Sequence, residues 1–317
     1  MRLRLIGDPH ITRKFVQNVP LSRRGEREEM LLDQFERELN KVDGSDMVVM
    51  VGDLFEKPIC SVHDLYRIIR MILSAARRND GIDYILLAGN HDRSAQENDY
   101  GAFDILHVFH QMLPNLSIFT KPAVRRGVAF FPWEWSRTAL EQLEDVKEYE
   151  FHTAVGHWDL VAYDDMHLDH FCPAQELVAM GAETIYSGHW HVAGDYVIDG
   201  VTVHCTGSMQ PMTHAEDPEG KLYVTLTLEE YNEIEDLSSL QDKYVRILAP
   251  QSETVEFLGD CLGFKIVRQD GTDDPDYGAP VAVEEFKTND VVDRLLVKHD
   301  VPAEVKKFIK ERIDADD

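Results

Sequence analysis

Residues 84–93 read YILLAGNHDR, a short apolar run followed by Gly89, Asn90, His91 and Asp92. An apolar run of this length, bounded by turn residues, is typical of a buried strand in a parallel sheet. A loop that only reverses the chain has no need of an amide, an imidazole and a carboxylate in succession. The stretch therefore predicts a buried strand that leads directly into a ligand-binding loop.

The same pattern follows four other predicted strands. Each run ends in Gly and continues into Asp or His: RLRLIG (2–7) before Asp8 and His10, VVMVG (48–52) before Asp53, HTAVG (152–156) before His157, and TIYSG (184–188) before His189 and His191. Ligands of open α/β sheets bind at the carboxyl ends of the strands, so five such ends predict one shared cleft. Oxygen and imidazole ligands together suit Mn, Fe or Zn, and the share of carboxylates favours Mn.

Taken one at a time, these residues have a structural explanation. An Asp before a helix is usually an N-cap, and a lone His is usually a packed residue. Five matching strand ends in one chain favour a metal site. The other histidines have no such context, and most of them are interpreted as structural: His63, His107, His110, His152, His167, His170, His204 and His214.

Helical periodicity separates the first three strands. Apolar side chains recur on one helical face at 26–42 and at 61–78, with Ser61 as the predicted N-cap of the second helix. Further strands are predicted at 128–131, 153–155, 184–187 and 222–228, with a hairpin over 195–204 that turns at Asp199 and Gly200. This alternation predicts an α/β fold.

The charge balance limits the classes of partner. The 317 residues include 58 acidic and 32 basic ones, for a net charge of -26. Such a chain is poorly suited to loose, sequence-independent binding of nucleic acid or anionic membrane. A nucleic-acid enzyme stays compatible, because bound divalent cations supply positive potential locally. Adaptation to high salt is an alternative explanation of the acidity.

The sequence also predicts a cytoplasmic protein without a membrane partner. No apolar stretch approaches the ~20 residues that span a bilayer. The opening MRLRLIGDPH has too short an apolar run for a signal peptide. The four cysteines are scattered without a CxxC pair, so they are interpreted as reduced packing residues.

These strand-end residues resemble the signature of the calcineurin-like metallophosphoesterases, in order, from residue 1 to about 210. The resemblance implies an α/β/β/α fold, a two-sheet sandwich flanked by helices, with a dinuclear metal centre. It implies one metal held by Asp8, His10, Asp53 and His191, and a second held by Asp53, Asn90, His157 and His189, with Asp53 bridging. His91 would lie beside the second metal and protonate the leaving oxygen, and Asp92 would orient its imidazole.

Longer motifs are similar to the SbcD-type double-strand-break repair nucleases, and especially to the recombination nuclease subunits of tailed phages. They are LRLIGDPHI, GDLFE, FPWEW, GHWDLVAY, SGHWH and TGSMQPMTHAEDPEG. The resemblance implies a DNA nuclease that uses two divalent metals, Mn²⁺ in particular, with 3′–5′ exonuclease and single-strand endonuclease activity. It also implies a homodimer that works with an SbcC-like coiled-coil ATPase, in the host cytoplasm if the chain is phage-encoded.

The same resemblance divides the chain into a nuclease domain (1–235), a smaller C-terminal capping domain (240–285) and a helical pair (286–317). The helical pair is expected to dock the ATPase, and packing against its own domain is the alternative. Candidate DNA contacts are Arg13, Lys14, Arg23, Arg24, Arg125 and Arg126, with a solvated charged face as the alternative. A small-molecule phosphatase or phosphodiesterase of the same family and a catalytically silent scaffold are the rival functions.

Overall fold

The computed structural model describes residues 1–96, 100–110, 112–161, 168–256 and 260–269. Its first sheet has four parallel strands in the order β1-β2-β3-β4. They are β1 (Leu3–Ile6), β2 (Met47–Met50), β3 (Asp83–Leu87) and β4 (Leu116–Phe119). The central strands β2 and β3 are buried along their whole length, as expected for strands that are covered on both faces.

The second sheet has six strands in the order β5-β6-β7-β8-β10-β9. They are β5 (Ala123–Arg125), β6 (Val128–Phe131), β7 (Thr153–His157), β8 (Thr184–Gly188), β9 (Gly194–Ile198) and β10 (Val201–Cys205). The four inner strands are parallel, and the edge strands β5 and β9 are antiparallel to their neighbours. The predicted hairpin is present, and Asp199 and Gly200 both adopt the positive φ that its tight turn requires.

The two sheets pack face to face around one apolar layer, which includes Val49, Ile85, Phe130 and Val155. Three helices cover the outer face of the first sheet: α1 (Glu26–Asn40), α2 (Val62–Arg78) and α3 (Ala102–His107). Two short helices, α4 (Ala139–Gln142) and α5 (Ala174–Ala179), cover the second sheet. This layering confirms the predicted α/β/β/α sandwich. No helix in the described ranges combines the length and the apolar composition needed to cross a bilayer.

Local sequence explains the two long helices. The apolar face of α1 is buried against the first sheet, as its periodicity predicts. The N-cap of α2 is Ser61, whose Oγ accepts a hydrogen bond from the Asp64 amide at 3.0 Å. The ends of both helices agree with the predicted ranges to within two residues.

A third sheet has three parallel strands, β11 (Tyr223–Thr227), β12 (Tyr244–Pro250) and β13 (Gly263–Gln269). Helix α6 (Leu228–Asn232) follows β11 directly. The first strand belongs to the predicted nuclease domain, whereas the other two belong to the predicted capping domain, so one sheet joins both segments. Residues 270–285 of the capping domain and the helical pair at 286–317 lie outside the described residues, and these assignments stay predictions.

Candidate metal centre

The polar residues that follow β1, β2, β3, β7 and β8 converge around one carboxylate oxygen, Oδ2 of Asp53. This atom lies 3.5 Å from His10 Nε2 and 3.4 Å from His157 Nε2, although these histidines follow strands of different sheets. The Asp53 side chain is 1% exposed. An oxygen between two imidazole nitrogens is able to contact two cations at once, which is the position of a bridging ligand.

Asp8, His10 and His191 form the first ligand group. Their donor atoms lie within 4.8 Å of one another. His191 Nε2 is 3.1 Å from His10 Nε2 and 3.8 Å from Asp8 Oδ2. With the shared oxygen of Asp53, the group offers two carboxylates and two imidazoles, a donor set that suits Mn, Fe or Zn.

Asp53, His157 and His189 form the second ligand group, again with donor atoms within 4.8 Å of one another. Asn90 completes it, because its Oδ1 is 3.0 Å from both His157 Nε2 and His189 Nδ1. The amide of Asn90 adds an oxygen without adding charge. All seven predicted ligands therefore lie in two adjoining groups that share one aspartate.

Each of the four imidazoles in these groups has its second nitrogen within 3.4 Å of an acceptor oxygen outside the centre, and for His157 and His189 this contact is a hydrogen bond. The distances are His10 Nδ1 to Glu56 Oε2 3.0 Å, His157 Nδ1 to Val51 O 2.8 Å, His189 Nε2 to Asp159 Oδ1 2.9 Å, and His191 Nδ1 to Glu216 Oε1 3.4 Å. An acceptor on the outer nitrogen keeps the proton there and leaves the lone pair of the inner nitrogen free for a metal. This is the tautomer that a metal ligand requires.

Asp8 tests whether these residues fit a metal. Its carboxylate is 0% exposed, and neither oxygen has a hydrogen-bond partner among the residues that the structure describes. Burial raises the pKa of Asp8, and a buried carboxylate without hydrogen bonds costs on the order of several kcal/mol unless charge nearby balances it. A cation beside Asp8 removes that penalty, so the donor set fits a pair of divalent metals. When bound, such a pair lowers the pKa of water and stabilises charge on a phosphoryl group.

Charge coupling between Asp53 and His157 shows how the centre holds positive charge. Burial acts to raise the pKa of Asp53, but His157, His10 and His91 outweigh burial and hold the pKa below its usual value. Burial acts to lower the pKa of His157, but the carboxylates of Asp53 and Asp8 outweigh it and raise the pKa to about 9. A proton on His157 therefore occupies the place that a cation would take.

The backbone at the centre is strained in a way that aims the ligands. His10, Asp53 and His189 all have positive φ, at 45°, 48° and 73°. Non-glycine residues in this region persist only where the surrounding structure holds them, and such positions cluster at functional sites. Gly52, at φ 112°, has no side chain because a Cβ there would lie 2.2 Å from His157 Nδ1.

His91 lies beside the first ligand group, whereas the sequence predicted a place beside the second metal. Its ring packs edge-on against His10, with centroids 4.9 Å apart. Its Nδ1 is 2.8 Å from the carbonyl oxygen of Glu56, and because a carbonyl only accepts, Nδ1 is the donor. The backbone amide of His91 donates to Asp53 Oδ1 at 2.9 Å. These contacts leave Nε2 of His91 to exchange a proton with a substrate.

Asp92 has a different place from the predicted one. Its carboxylate accepts hydrogen bonds from the backbone amides of Leu54, Phe55 and Gly89, at 3.3, 2.8 and 2.8 Å. Asp92 therefore ties the loop after β2 to the loop after β3, and the carbonyl of Glu56 rather than Asp92 orients His91. Burial, and then the charge of Asp53, raise the pKa of Asp92 to about 8.

Sequence reasoning missed the three acids that orient the imidazoles, Glu56, Asp159 and Glu216. All three lie in motifs quoted for the resemblance: GDLFE, GHWDLVAY and TGSMQPMTHAEDPEG. The usable signal was position, because Asp159 follows His157 by two residues and Glu56 follows Asp53 by three. Glu216 carries no such signal, since it reaches His191 from a separate loop.

A groove of about 1230 Å³ adjoins the centre. We call it the basic groove; it is lined by residues 12–18 and 212–215, by Glu56, Lys57, Ile59, Cys60, Ser61 and Asp64, and by Tyr223, Tyr244, Val245, Arg246, Gly263, Phe264 and Lys265. Arg13 and Lys14, two of the predicted DNA contacts, lie in its wall. Glu56 belongs both to this wall and to the surroundings of His10, so the groove opens beside the first ligand group.

The structure does not bring the other predicted DNA contacts to the groove. Arg23 is 8% exposed and bonds to Glu26. Arg125 and Arg126 both pair with Asp83, at 2.5 and 2.9 Å. Asp83 begins β3, so this cluster lies at the amino ends of the strands, away from the centre. The remaining contact, Arg24, is exposed outside the groove lining.

A two-sheet sandwich with clustered carboxylates and imidazoles at its strand ends defines a metal-dependent hydrolase. The family model described as calcineurin-like phosphoesterase matches residues 1–193. The chain therefore belongs to the calcineurin-like phosphoesterases, and this membership implies a metal-dependent phosphoester hydrolase. No curated protein matches the chain.

Solved structures include similar chains at low identity. The phosphopantetheinyl hydrolase PptH from Mycobacterium tuberculosis is 15% identical, over 66% of this chain and 90% of its own, with a TM-score of 0.37. A second crystal structure is 11% identical, over 65% of this chain and 90% of its own, with a TM-score of 0.39.

Proposed function

We propose that the protein is a manganese-dependent deoxyribonuclease of the SbcD type, with 3′–5′ exonuclease and single-strand endonuclease activity. Family membership alone leaves the substrate open. The motifs GHWDLVAY and SGHWH, and the run at 206–220, support DNA as the substrate through their resemblance to the phage recombination nucleases. The carboxylate share of the two ligand groups supports Mn²⁺.

The observation that carries the proposal is the basic groove. Its volume of about 1230 Å³ exceeds the ~300–1,000 Å³ of sites for drug-sized ligands. Its walls include Arg13, Lys14, Lys57, Arg246 and Lys265, although the chain as a whole carries a net charge of -26. Positive charge gathered in a large cleft of an acidic protein favours a polyanionic substrate.

His91 is the residue we assign to proton transfer. Its Nδ1 proton is held by the Glu56 carbonyl, so Nε2 is the atom that delivers a proton to the leaving oxygen. Asp92 supports this role indirectly, because it fixes the loop that carries His91. The metals would be held by Asp53 and the two ligand groups around it.

Acidity also supports a dependence on partners. A net charge of -26 repels DNA at long range, so unaided affinity would be low. We therefore propose that the protein works as a homodimer with an SbcC-like coiled-coil ATPase, which supplies DNA affinity that this chain lacks. Residues 286–317 are the proposed docking segment.

In the test, the purified protein is incubated with Mn²⁺ and with each of three substrates. They are a 3′-labelled DNA duplex, a single-stranded DNA circle and bis(p-nitrophenyl) phosphate. The assay is repeated with an SbcC-like ATPase added, and chelated protein is the control. We expect Mn²⁺-dependent release of nucleotides from the 3′ end and nicking of the circle. Turnover of the small ester with all DNA intact would instead assign a small-molecule phosphodiesterase. A metal-loaded protein inert towards every substrate would be a scaffold.

A further inference from the structure

The sheet β11-β12-β13 contributes two neighbouring cations, Arg246 and Lys265, to the wall of the basic groove. Residues in register on parallel strands share a face, and Thr225, Arg246 and Lys265 are in register. The next register positions on β12 and β13, Ile247 and Ile266, belong to the opposite face and pack in an apolar cluster. Arg246 and Lys265, here called the cation pair, therefore stand side by side in the groove wall.

The cation pair differs from Arg13 and Lys14 in lacking acidic partners within the described ranges. Across the groove, Arg13 lies 3.6 Å from Glu56 and Lys14 lies 3.7 Å from Asp64, so those charges are already matched. In the cation pair, the arginine Nε is buried without a hydrogen-bond partner among the described residues. With exposed Lys57, the pair therefore makes up the uncompensated positive charge that the described residues bring to the groove, and only the pair stands side by side on one sheet.

The surroundings of the cation pair maintain that charge. His214 faces both members: its pKa is lowered to about 4, first by burial and then by the charges of Arg246 and Lys265. The imidazole is therefore neutral, and its Nδ1 lies 3.2 Å from the Thr225 hydroxyl. Like charges side by side on neighbouring strands destabilise a sheet. A ligand anion would relieve that repulsion.

Groove and metal centre are joined at two points. Glu56 lines the groove and contacts His10. On the other side, residues 212–215 line the groove, and the next residue, Glu216, contacts His191. An extended anion lying in the groove is therefore able to reach the cation pair and the first ligand group together.

We propose that Arg246 and Lys265 bind a backbone phosphate of the substrate strand, at a distance from the phosphate that is hydrolysed. The inference rests on the proposed nuclease function and deepens it, because it requires a substrate long enough to reach both places. A small phosphodiester is too short to contact the cation pair while it occupies the metal centre. The cation pair thus selects polymeric nucleic acid over small esters.

The experiment compares the wild-type protein with the double variant Arg246→Ala/Lys265→Ala in Mn²⁺. The substrates are a single-stranded oligonucleotide and bis(p-nitrophenyl) phosphate. We expect the KM for the oligonucleotide to rise about tenfold or more, since each lost bond joins charged groups, with kcat nearly unchanged. The plot of log kcat/KM against log salt becomes shallower by about 0.7, because one phosphate contact to a single strand contributes ~0.7. Kinetics on the small ester stay as in the wild type.

Two control variants separate the subsite from general charge effects. Arg37→Ala/Lys41→Ala removes the same charge from exposed positions at the end of α1 and is expected to leave the oligonucleotide KM unchanged. Arg246→Lys/Lys265→Arg keeps the charge and is expected to keep most of the affinity. Thermal unfolding of every variant checks that the fold is intact.

Three results would overturn the subsite. The first is a double variant whose KM for the oligonucleotide equals that of the wild type. The second is an equal loss of activity on the oligonucleotide and on the small ester. The third is a double variant that inorganic tripolyphosphate no longer inhibits, although its KM for the oligonucleotide is unchanged. The last result would assign the pair to free polyphosphate. If the wild type itself spares all DNA while hydrolysing the small ester, the nuclease function fails and the subsite falls with it. That failure is read from the wild type alone.

Discussion

Two buried aspartates at opposite ends of the α/β core differ in how their charge is balanced. Asp83, at the amino end of β3, is 7% exposed, and its two oxygens pair with Arg125 and Arg126 at 2.5 and 2.9 Å. Asp8, beyond the carboxyl end of β1, is 0% exposed, and within the described residues neither oxygen is hydrogen-bonded. One carboxylate is neutralised by two arginines, whereas the other has, in the described part of the chain, only the imidazoles of His157 and His191 nearby, at 4.0 and 3.8 Å.

The contrast teaches which buried charge is structural and which is functional. At Asp83 the chain balances a buried carboxylate with two of its own arginines, as a structural ion pair does. At the metal centre it gathers three ligands at positive φ, against one such residue, Arg126, beside Asp83, and it leaves the carboxylate of Asp8 without a hydrogen bond among the described residues. Unsatisfied and strained groups that gather in one place are therefore the mark of the site.

The largest expected effect comes from Asp53→Asn. The substitution weakens the oxygen shared by both ligand groups, so we expect loss of metal and a fall in hydrolysis of at least ~10³-fold, since the metals supply several kcal/mol of transition-state stabilisation. Elemental analysis and the rate on bis(p-nitrophenyl) phosphate measure the two effects. Full metal content with wild-type activity would contradict a bridging Asp53.

His91→Ala comes next, with a rate on DNA lower by at least ~100-fold, the usual scale for a general acid. Metal content is expected to stay nearly intact, because both ligand groups are complete without His91. A p-nitrophenolate leaving group needs no proton, so the loss on bis(p-nitrophenyl) phosphate should be far smaller. Exposed His63 supplies the control variant His63→Ala. Equal losses on DNA and on the small ester would refute the proton-transfer role.

Removing an acid that orients an imidazole tests the outer contacts. Glu216→Gln weakens the hold on His191 of the first group, and Asp159→Asn weakens the hold on His189 of the second. Such contacts are worth ~10–100-fold in metal affinity, so each variant should lose affinity at one of two titratable sites in Mn²⁺ binding calorimetry.

A histidine–aspartate pair outside the centre provides the matched control for this pair of variants. His204 Nδ1 lies 2.7 Å from Asp195 Oδ1 on the β9–β10 hairpin. Asp195→Asn should leave both affinities unchanged. If Asp195→Asn weakens Mn²⁺ binding as much as the other two variants do, the contacts of Glu216 and Asp159 with the imidazoles have no special role.

The pH dependence of metal binding follows from His157. Its pKa in the metal-free protein is raised to about 9, so the proton is present below that pH and must leave when a cation binds. Mn²⁺ affinity should therefore rise about tenfold per pH unit from neutral pH and level off above the pKa. Calorimetry in buffers of different ionisation enthalpy counts the released proton. A dissociation constant independent of pH would show that His157 is already neutral.

The smallest effect is expected from Asp83→Asn at the opposite end of the core. Its arginine partners are partly exposed and screened, so the loss of unfolding free energy should be roughly 1 kcal/mol. Urea unfolding of the metal-free protein measures it. Metal content and activity should equal those of the wild type, and loss of metal here would erase the contrast between the two aspartates.

The sequence by itself determined the strands of the centre and the candidate ligands. β1, β2, β3, β7 and β8 are apolar runs bounded by glycine and a polar cluster, and such patterns are local. Strand β4 was missed because no glycine and polar cluster follows it, and β5 because it has only three residues. Helices α3 and α5 have six residues each, too few to show a helical period.

Only the tertiary structure decided which polar groups meet. Asp92 accepts amides from a loop 37 and 38 residues away, and His157 reaches a carbonyl 106 residues away. The tertiary structure also distinguished two predicted DNA contacts: Arg13 lies in the groove, whereas Arg125 neutralises Asp83. Strand patterns are readable because they repeat over neighbouring residues, whereas the partner of a charged side chain depends on how distant segments pack, and no local period records that.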